Sequence, residues 1–326
     1  MSVTEALPWQ AEQWCRLAES QEAGRFPHSL LLTGPGGVGK RQFALALAHS
    51  LLCEASRELE EACGTCPQCR LIKAGSHPDL MVLALEEKGT TITVDSIREL
   101  IGFYFLASHY RGWKVAVVEN ADRMNVNAAN ALLKILEEPP AKAVIVLVTD
   151  HSSALPATIR SRCMRVDFPI PQEGLVVDWL AEQNEKGDIK QALALAMGAP
   201  LLAQEYMEDS CLEERMGLVN DLRAIKNKKT SVCNVAKSWM DLGSAKVLKW
   251  YATILSDLTR YKVSSTPPHI DNQDMKPVLQ EISAKLSLAA LLELYRSVTT
   301  ARRELNRNLN EQLLLESLLV QWKRIR

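Results

Sequence analysis

The chain has 326 residues, of which 47% are hydrophobic and 24% are charged, and its 38 basic and 39 acidic side chains give a formal net charge of −1. This composition is typical of a globular protein with two or three domains. A neutral charge balance gives no electrostatic reason to expect a strong nucleic-acid binder. Because the amino terminus lacks the apolar core of a signal peptide and the apolar runs are strand-sized, we expect a cytoplasmic protein without a membrane partner.

The first predicted strand, residues 29–33 (SLLLT), leads into a glycine-rich loop and then into a helix. The loop fits the phosphate-binding pattern G-x-x-x-x-G-K, but Arg41 stands where a Ser or Thr should ligate magnesium. The residues that cradle phosphates in such loops are kept: Gly34, Gly37, Gly39 and Lys40. Two interpretations stay open, namely a degenerate loop that binds ATP or ADP without hydrolysing it, and a glycine-rich turn that holds no ligand.

Four cysteines crowd together after this helix, at Cys53, Cys63, Cys66 and Cys69. Clustered cysteines in a reducing compartment indicate a metal, and four thiolates suit tetrahedral zinc. Unmetallated buried thiols and an iron–sulfur cluster are the alternatives. No His or carboxylate stands between Cys63 and Cys69 to suggest an open catalytic position, so we predict a structural zinc knuckle over 53–69.

Strands and helices alternate in the next part of the chain. Four further strands are predicted, at 79–85, 90–94, 114–120 and 143–150. The pair Ser96 and Glu99 indicates a capping box for one helix, and residues 127–140 predict another that two prolines stop. This alternation predicts a parallel, doubly wound α/β sheet with a ligand at the carboxyl ends of its strands. The polar residues expected at that edge are Thr33, Glu119, Asn120, Thr149 and Asp150.

The two polar residues that end the strand predicted at 114–120 bear on hydrolysis. An active site needs an Asp to hold the magnesium shell and a Glu to polarise the attacking water, and the two positions here are Glu119 and Asn120. The longer arm of Glu119 suits a metal, but Asn120 cannot accept a proton. Together with Arg41, this substitution predicts that the chain does not hydrolyse ATP.

Past FPIP (168–171) the predicted structure becomes helical. Residues 172–207 are predicted to form short helices, and the apolar segments from about 208 onward all have helical spacing. The segment VSSTPPHIDNQD (263–274) is the best candidate for a long loop inside this helical part.

Several of these motifs together resemble the clamp-loader branch of the AAA+ ATPases, over nearly the full chain. They are GSHPDL (75–80), ANALLKILEEPP (129–140), LPATIRSRC (155–163), the cysteine spacing, and NRNLNEQLLLESLLVQW (306–322), which is similar to the family's last collar helix. The resemblance implies an α/β AAA+ P-loop domain with a zinc-binding insertion at 1–168, a small helical lid domain at 169–207 and an all-helical collar, or oligomerisation, domain at 208–326. In that family the motor subunits gamma and tau keep an intact loop, whereas a non-motor subunit keeps Ser-Arg-Cys beside a degenerate ATP site.

The resemblance also assigns roles by position. Arg162, in Ser161-Arg162-Cys163, matches the arginine finger that reaches into a neighbouring subunit's ATP site, although a surface Arg in a salt bridge is the plain alternative. Thr149 matches the sensor-one position or is only a strand end. The stretch 198–201 (GAPL) lacks the family's sensor-two Arg, which again favours a non-hydrolysing subunit.

The implied function is that of a stator in a heteropentamer with gamma or tau and delta subunits. This assembly loads the sliding clamp onto primer–template DNA as part of the DNA polymerase III holoenzyme, although no residue of this chain could catalyse nucleotidyl transfer. One alternative is a gamma/tau-like ATPase that tolerates Arg41 and uses Glu119 for its metal. Another is a zinc-dependent DNA-binding protein, for which the knuckle offers few basic neighbours, namely Arg57, Arg70 and Lys73.

Overall fold

A computed structural model of the chain describes residues 6–56, 59–85, 91–110, 112–183, 188–207, 209–305 and 310–325, with the backbone alone described at 209–212 and 303. The chain forms two compact units. The first comprises Met1–Val176 with Ala199–Leu201, and the second comprises Val177–Gly198 with Leu202–Arg326. The division into three domains at residues 168 and 207 stays a prediction.

The first unit is built on a parallel sheet of five strands. These are β1 (Ser29–Thr33), β2 (Leu80–Leu83), β3 (Lys114–Val118), β4 (Ala143–Thr149) and β5 (Met164–Asp167). Their order is β2-β3-β4-β1-β5, and every neighbouring pair is parallel. In this register Thr33 lies level with Thr149 on one side and with Asp167 on the other. The predicted parallel α/β sheet, with polar residues at its carboxyl edge, is therefore confirmed.

Helices cover both faces of this sheet. They are α1 (Ala11–Glu22), α2 (Lys40–Leu52), α3 (Pro67–Lys73), α4 (Val94–Phe105), α5 (Val126–Glu137) and α6 (Ala157–Arg160). Leu30 and Leu32 pack with Phe43 of α2, whereas Leu31 packs on the opposite face with Leu132 of α5. Successive side chains of a strand point to opposite faces, so two covered faces explain the nearly continuous apolar strands.

Two details of the predicted elements were wrong. Residues 90–94 were predicted to be a strand, but Thr90 lies outside the described residues and, of the rest, only Ile92 makes a bridge, to Met124. The helix was predicted to start at Ser96, but it begins at Val94. The side chain of Thr93 caps this helix by accepting a hydrogen bond from the N–H of Ser96. Strand β5 was not predicted, since four residues with one buried apolar side chain, Val166, give no periodic signal.

After β5 the described residues contain helices and no strand. The helices are α7 (Glu173–Gln183), α8 (Ile189–Leu195), α9 (Pro200–Tyr206), α10 (Asp209–Lys226), α11 (Val232–Asp241), α12 (Ser244–Val263), α13 (Lys276–Ala284), α14 (Leu288–Glu304) and α15 (Glu311–Arg324). This confirms the predicted helical carboxyl-terminal region. Residues 306–309 of the predicted last helix lie outside the described residues.

Aromatic side chains form part of the core of the second unit. The ring of Tyr251 lies edge-on to Trp239 and to Trp322, at centroid distances of 5.3 and 6.5 Å. The predicted loop between α12 and α13 is tied to this unit by Asp257, whose fully buried carboxylate accepts hydrogen bonds from the backbone N–H groups of Asp271 and Asn272. Among the helices that the structure describes, none combines the length and apolar character needed to cross a bilayer.

Candidate functional site

The glycine-rich loop joins β1 to α2 at the carboxyl edge of the sheet. Gly34, Gly37 and Gly39 have φ values of 150°, 82° and 91°, a region that favours glycine. A Cβ atom on Gly34 would lie 2.1 Å from the carbonyl oxygen of Phe168, so the loop also needs glycine for space. Because α2 begins at Lys40, its free N–H groups and dipole lie at the loop, as in a phosphate-binding site.

Lys40 already has partners inside the protein. Its side chain is 3% exposed, and its Nζ lies 2.7 Å from a carboxylate oxygen of Asp150. The same Nζ donates to the carbonyl oxygens of Gly34 and Pro35, at 2.7 and 2.6 Å. An ammonium group has three hydrogen-bond donors, so these three contacts match its full capacity. A phosphate could bind Lys40 only by taking over or sharing one of them.

Arg41 forms an ion pair with the residue expected to hold a metal. Its Nε lies 2.5 Å from the carboxylate Oε1 of Glu119, whose side chain is 12% exposed. A guanidinium is a permanent cation, and here it pairs with a carboxylate that could otherwise ligate magnesium, while the Arg41 side chain itself is 55% exposed. Asn120, which follows Glu119, is exposed and has a left-handed backbone with φ of 51°.

The remaining residues predicted to contact a nucleotide also have hydrogen-bond partners within the first unit. The hydroxyl of Thr149 donates to Asp122 Oδ1 at 2.8 Å and accepts from the N–H of His151 at 3.0 Å. Where the resemblance implies a sensor-two Arg, the chain has Leu201, whose backbone N–H donates to the carbonyl oxygen of Gly37 at 2.9 Å.

Positive and negative side chains balance one another at this edge of the sheet. The contacts bring together Lys40 and Arg41 with the carboxylates of Glu119, Asp122 and Asp150, and Arg123 also interacts electrostatically with Asp122 and Asp150. A nucleoside triphosphate normally binds where the protein and its magnesium ion together provide an excess of positive charge.

The four cysteines of the predicted knuckle lie together. The Sγ atoms of Cys53, Cys63, Cys66 and Cys69 are all within 4.8 Å of one another. Two of the separations are 3.9 Å (Cys53 to Cys66) and 4.0 Å (Cys63 to Cys69), close to the edge of about 3.8 Å that tetrahedral Zn–S bonds of 2.3 Å require. The four thiols therefore fit a metal ion such as zinc.

Backbone amides also point to thiolate character in this cluster. The N–H groups of Cys63, Cys66 and Cys69 each lie 3.4 Å from the sulfur of another cysteine of the set. Hydrogen bonds from the backbone of Thr65 and Cys66 lower the pKa of the Cys63 thiol to about 6, whereas burial raises the pKa of the Cys69 thiol. Thiolates are the form in which cysteine binds metals, so this environment suits a metal site. Arg57, one of the basic neighbours considered above, lies outside the described residues.

A chain of hydrogen bonds connects the knuckle to the sheet. Gln68, beside Cys69, donates to Glu54 at 3.0 Å and lies 2.9 Å from Nε2 of His77. Nδ1 of His77 accepts the N–H of Asp79 at 3.0 Å, which leaves Nε2 as the N–H that donates to Gln68. Burial lowers the pKa of His77, consistent with this neutral tautomer. The motif GSHPDL thus has a local structural role.

Arg162 lies on the turn between α6 and β5. Its Nη2 is 2.6 Å from a carboxylate oxygen of Glu137, at the end of α5, and its Nη1 donates to the carbonyl oxygen of Thr158 at 3.1 Å. The hydroxyl of Ser161 donates to the same carbonyl at 3.2 Å. The side chain of Arg162 is 36% exposed, whereas Cys163 packs against the core and burial raises the pKa of its thiol to about 12.

Sequence reasoning missed most partners of the predicted site residues. Asp150 was placed at the polar edge without a role, and Glu137 and His77 stand inside quoted motifs that did not reveal their contacts. Asp122 and Gln68 carried no signal of their own, because their roles depend on residues distant in the chain.

Two family models and several full-length relatives match this chain. A family model described as DNA polymerase III, delta subunit, matches residues 9–172, and one described as its C-terminal part matches 210–324. The DNA polymerase III subunit delta' of Pseudomonas aeruginosa is 36% identical over 98% of both chains, and that of Yersinia pestis is 31% identical over 97% of this chain and 95% of its own. A solved DNA polymerase III gamma-subunit-related protein from Thermotoga maritima aligns at 21% identity with a TM-score of 0.47, covering 96% of this chain and 98% of its own.

Proposed function

The chain belongs to the family of DNA polymerase III delta-prime subunits, and from that membership we propose that it acts as the non-motor subunit, or stator, of a clamp loader. In this role it closes one end of a heteropentamer with delta and gamma or tau subunits, which places the sliding clamp on primer–template DNA. The main support for the proposal is the ion pair between Arg41 and Glu119. In it, an arginine of the chain itself pairs with the carboxylate that would bind a metal ion in the chain's own ATP site.

Hydrolysis needs a magnesium ion and a group that orients or deprotonates the attacking water. Here Arg41 replaces the hydroxyl ligand, Glu119 is paired, and Asn120 has no basic oxygen. Lys40 is satisfied by Asp150 and two carbonyl oxygens, so the loop keeps its shape through contacts within the protein. These features support a chain that does not turn over ATP, and they weigh against the gamma/tau-like alternative.

The contribution of Arg162 is proposed to be made in trans. A guanidinium next to a neighbour's γ phosphate stabilises the charge that develops on the phosphoryl group, an effect worth about 10³–10⁵ in rate where arginine fingers are established. Arg162 is exposed enough to reach another subunit, and its backbone is fixed by a hydrogen bond from its N–H to the carbonyl of Ile159. Ser161 supports the turn through Thr158 rather than by touching the phosphate.

Zinc is proposed as a structural ion at the four cysteines. Cys53, Cys63, Cys66 and Cys69 would hold it with four thiolates, which leaves no open position for a reacting water. Its effect would be to fix the fold of the insertion against α2, and through Gln68 and His77 against the sheet.

The test is ATP turnover in a loader reconstituted with gamma or tau and delta. The isolated chain should be silent, and Arg162→Ala should slow the assembled motor at least about tenfold. Arg160→Ala, which removes an exposed arginine two positions earlier, is the matched control and should leave the rate unchanged. Turnover by the isolated chain would instead support a gamma/tau-like ATPase, and an unchanged rate with Arg162→Ala would contradict the trans role.

A further inference from the structure

The side chain of Arg162 is held at two points that belong to different elements. Glu137 ends α5 and offers a carboxylate oxygen at 2.6 Å, and Thr158 lies in α6 and offers its carbonyl oxygen at 3.1 Å. Both are acceptors, and they engage different nitrogens of the guanidinium. The direction in which the side chain leaves the turn is therefore set by α5 as well as by its own segment.

We propose that Glu137 is a positioning residue for Arg162, which keeps the guanidinium extended and oriented before a neighbouring subunit docks. This inference rests on the proposed function of Arg162. Glu137 itself is not expected to touch nucleotide. It acts through Arg162, by reducing the number of conformations that the arginine must give up when it meets a phosphate.

The strength of this contact suits such a role. A long arginine side chain has many rotamers, and ordering it on binding weakens the interaction it makes. The pair is partly exposed, with 36% of the Arg162 side chain and 51% of the Glu137 side chain accessible. Ion pairs of this kind are weak, so a phosphate with greater charge can displace or share the carboxylate. The contact therefore orients the guanidinium without locking it.

A neighbouring glutamate makes it possible to distinguish a specific role of Glu137 from the effect of any negative charge at this surface. Glu138 is adjacent, equally acidic and exposed, and Lys134 lies one turn earlier on the same helix. Of the two glutamates, Glu137 is the one that forms the ion pair with Arg162. Because both glutamates contribute the same charge to the end of α5, removing one or the other distinguishes positioning from a general electrostatic effect.

The experiment is a double-mutant cycle on ATP turnover in the reconstituted loader. Glu137→Ala should slow turnover about fivefold by disordering the arginine, and Glu137→Gln, which keeps an oxygen acceptor, should slow it less. In the Arg162→Ala background, Glu137→Ala should have no further effect. Glu138→Ala is the matched control and should leave turnover unchanged.

A second readout separates positioning from loss of assembly or fold. The amount of loader formed and the affinity of the gamma or tau site for nucleotide should be the same with Glu137→Ala as with the parent chain. If Glu137→Ala is neutral or accelerates turnover while Arg162→Ala still slows it, the positioning role of Glu137 is rejected and the proposed function of Arg162 stands. If Arg162→Ala is also neutral, the proposed function falls. If Glu137→Ala slows turnover equally with and without Arg162, the carboxylate acts by another route and the inference is overturned.

Discussion

The guanidinium of Arg41 lies 2.5 Å from the carboxylate of Glu119. Arg41 follows the lysine of the glycine-rich loop, and Glu119 follows β3, so the pair joins two elements at the carboxyl edge of the sheet. Each residue alone departs from the requirements of an ATPase site, but together they satisfy each other's charge. The two residues therefore form one electrostatic unit, so a change at Arg41 should alter what Glu119 can bind.

Replacing Arg41 should make Glu119 available to a cation. With Arg41→Thr, the new hydroxyl and the free carboxylate form a partial magnesium site, and we expect magnesium-dependent binding of a fluorescent ATP analogue to strengthen about tenfold. ATP turnover should stay absent because Asn120 still lacks a basic oxygen. Arg98→Thr, which removes an exposed ion-paired arginine of α4, is the control. Equal nucleotide affinity in the parent and Arg41→Thr chains would argue against the role given to the pair.

Lys40 should stabilise the fold even without nucleotide. Lys40→Met keeps the apolar stem but removes the donor from two carbonyl oxygens and from Asp150, and we expect a loss of about 2–3 kcal/mol in unfolding free energy. Urea unfolding measures this. Lys134→Met, at an exposed position of α5, should change stability by less than about 0.5 kcal/mol. Similar urea midpoints for the two variants would mean that the contacts of Lys40 contribute nothing net.

The cysteine cluster should retain one zinc ion per chain. Cys63→Ser removes one of four sulfur ligands, and we expect about tenfold weaker retention or worse in competition with a chelator, together with a lower thermal midpoint. Zinc content by elemental analysis is the measurement. Cys15→Ser, at an exposed cysteine of α1, should behave like the parent chain. Iron with visible absorbance, or a metal-free chain of full stability, would refute the zinc assignment.

Two buried histidines should make the fold sensitive to acid. Burial lowers the pKa of His77 and of His49 from the ordinary value of 6.5, and repulsion from His77 adds to the effect on His49. As the pH falls below 6.5 the unfolded chain takes up these protons before the folded chain does, so stability decreases. Stability should be retained above that pH.

Urea midpoints at pH 7.5 and 5.5 measure this sensitivity. The difference between them should shrink in His77→Gln, which has no titrating ring, and should persist in the control His151→Gln at an exposed position. If His77→Gln and the parent chain lose the same stability between the two pH values, protonation of His77 does not contribute.

Much of the architecture could be predicted because its signals are local. The strand at Ser29–Thr33, the helix Val126–Glu137 and the helical second half have apolar patterns that do not depend on distant partners. The short strand β5 was missed because it is defined by pairing with β1, from which it is separated by more than a hundred residues. The start of α4 was misplaced because two hydroxyl residues, Thr93 and Ser96, both suit a helix cap.

The sequence by itself determined which side chains are present: Arg41 where the phosphate-binding pattern has a hydroxyl, Asn120 where an ATPase has a base, and four closely spaced cysteines. Only the tertiary structure decided what those side chains bind. Arg41 and Glu119 are 78 positions apart, and Lys40 and Asp150 are 110 apart. The parallel sheet brings them together because the carboxyl ends of its strands share one edge, and attraction between opposite charges then selects the partners.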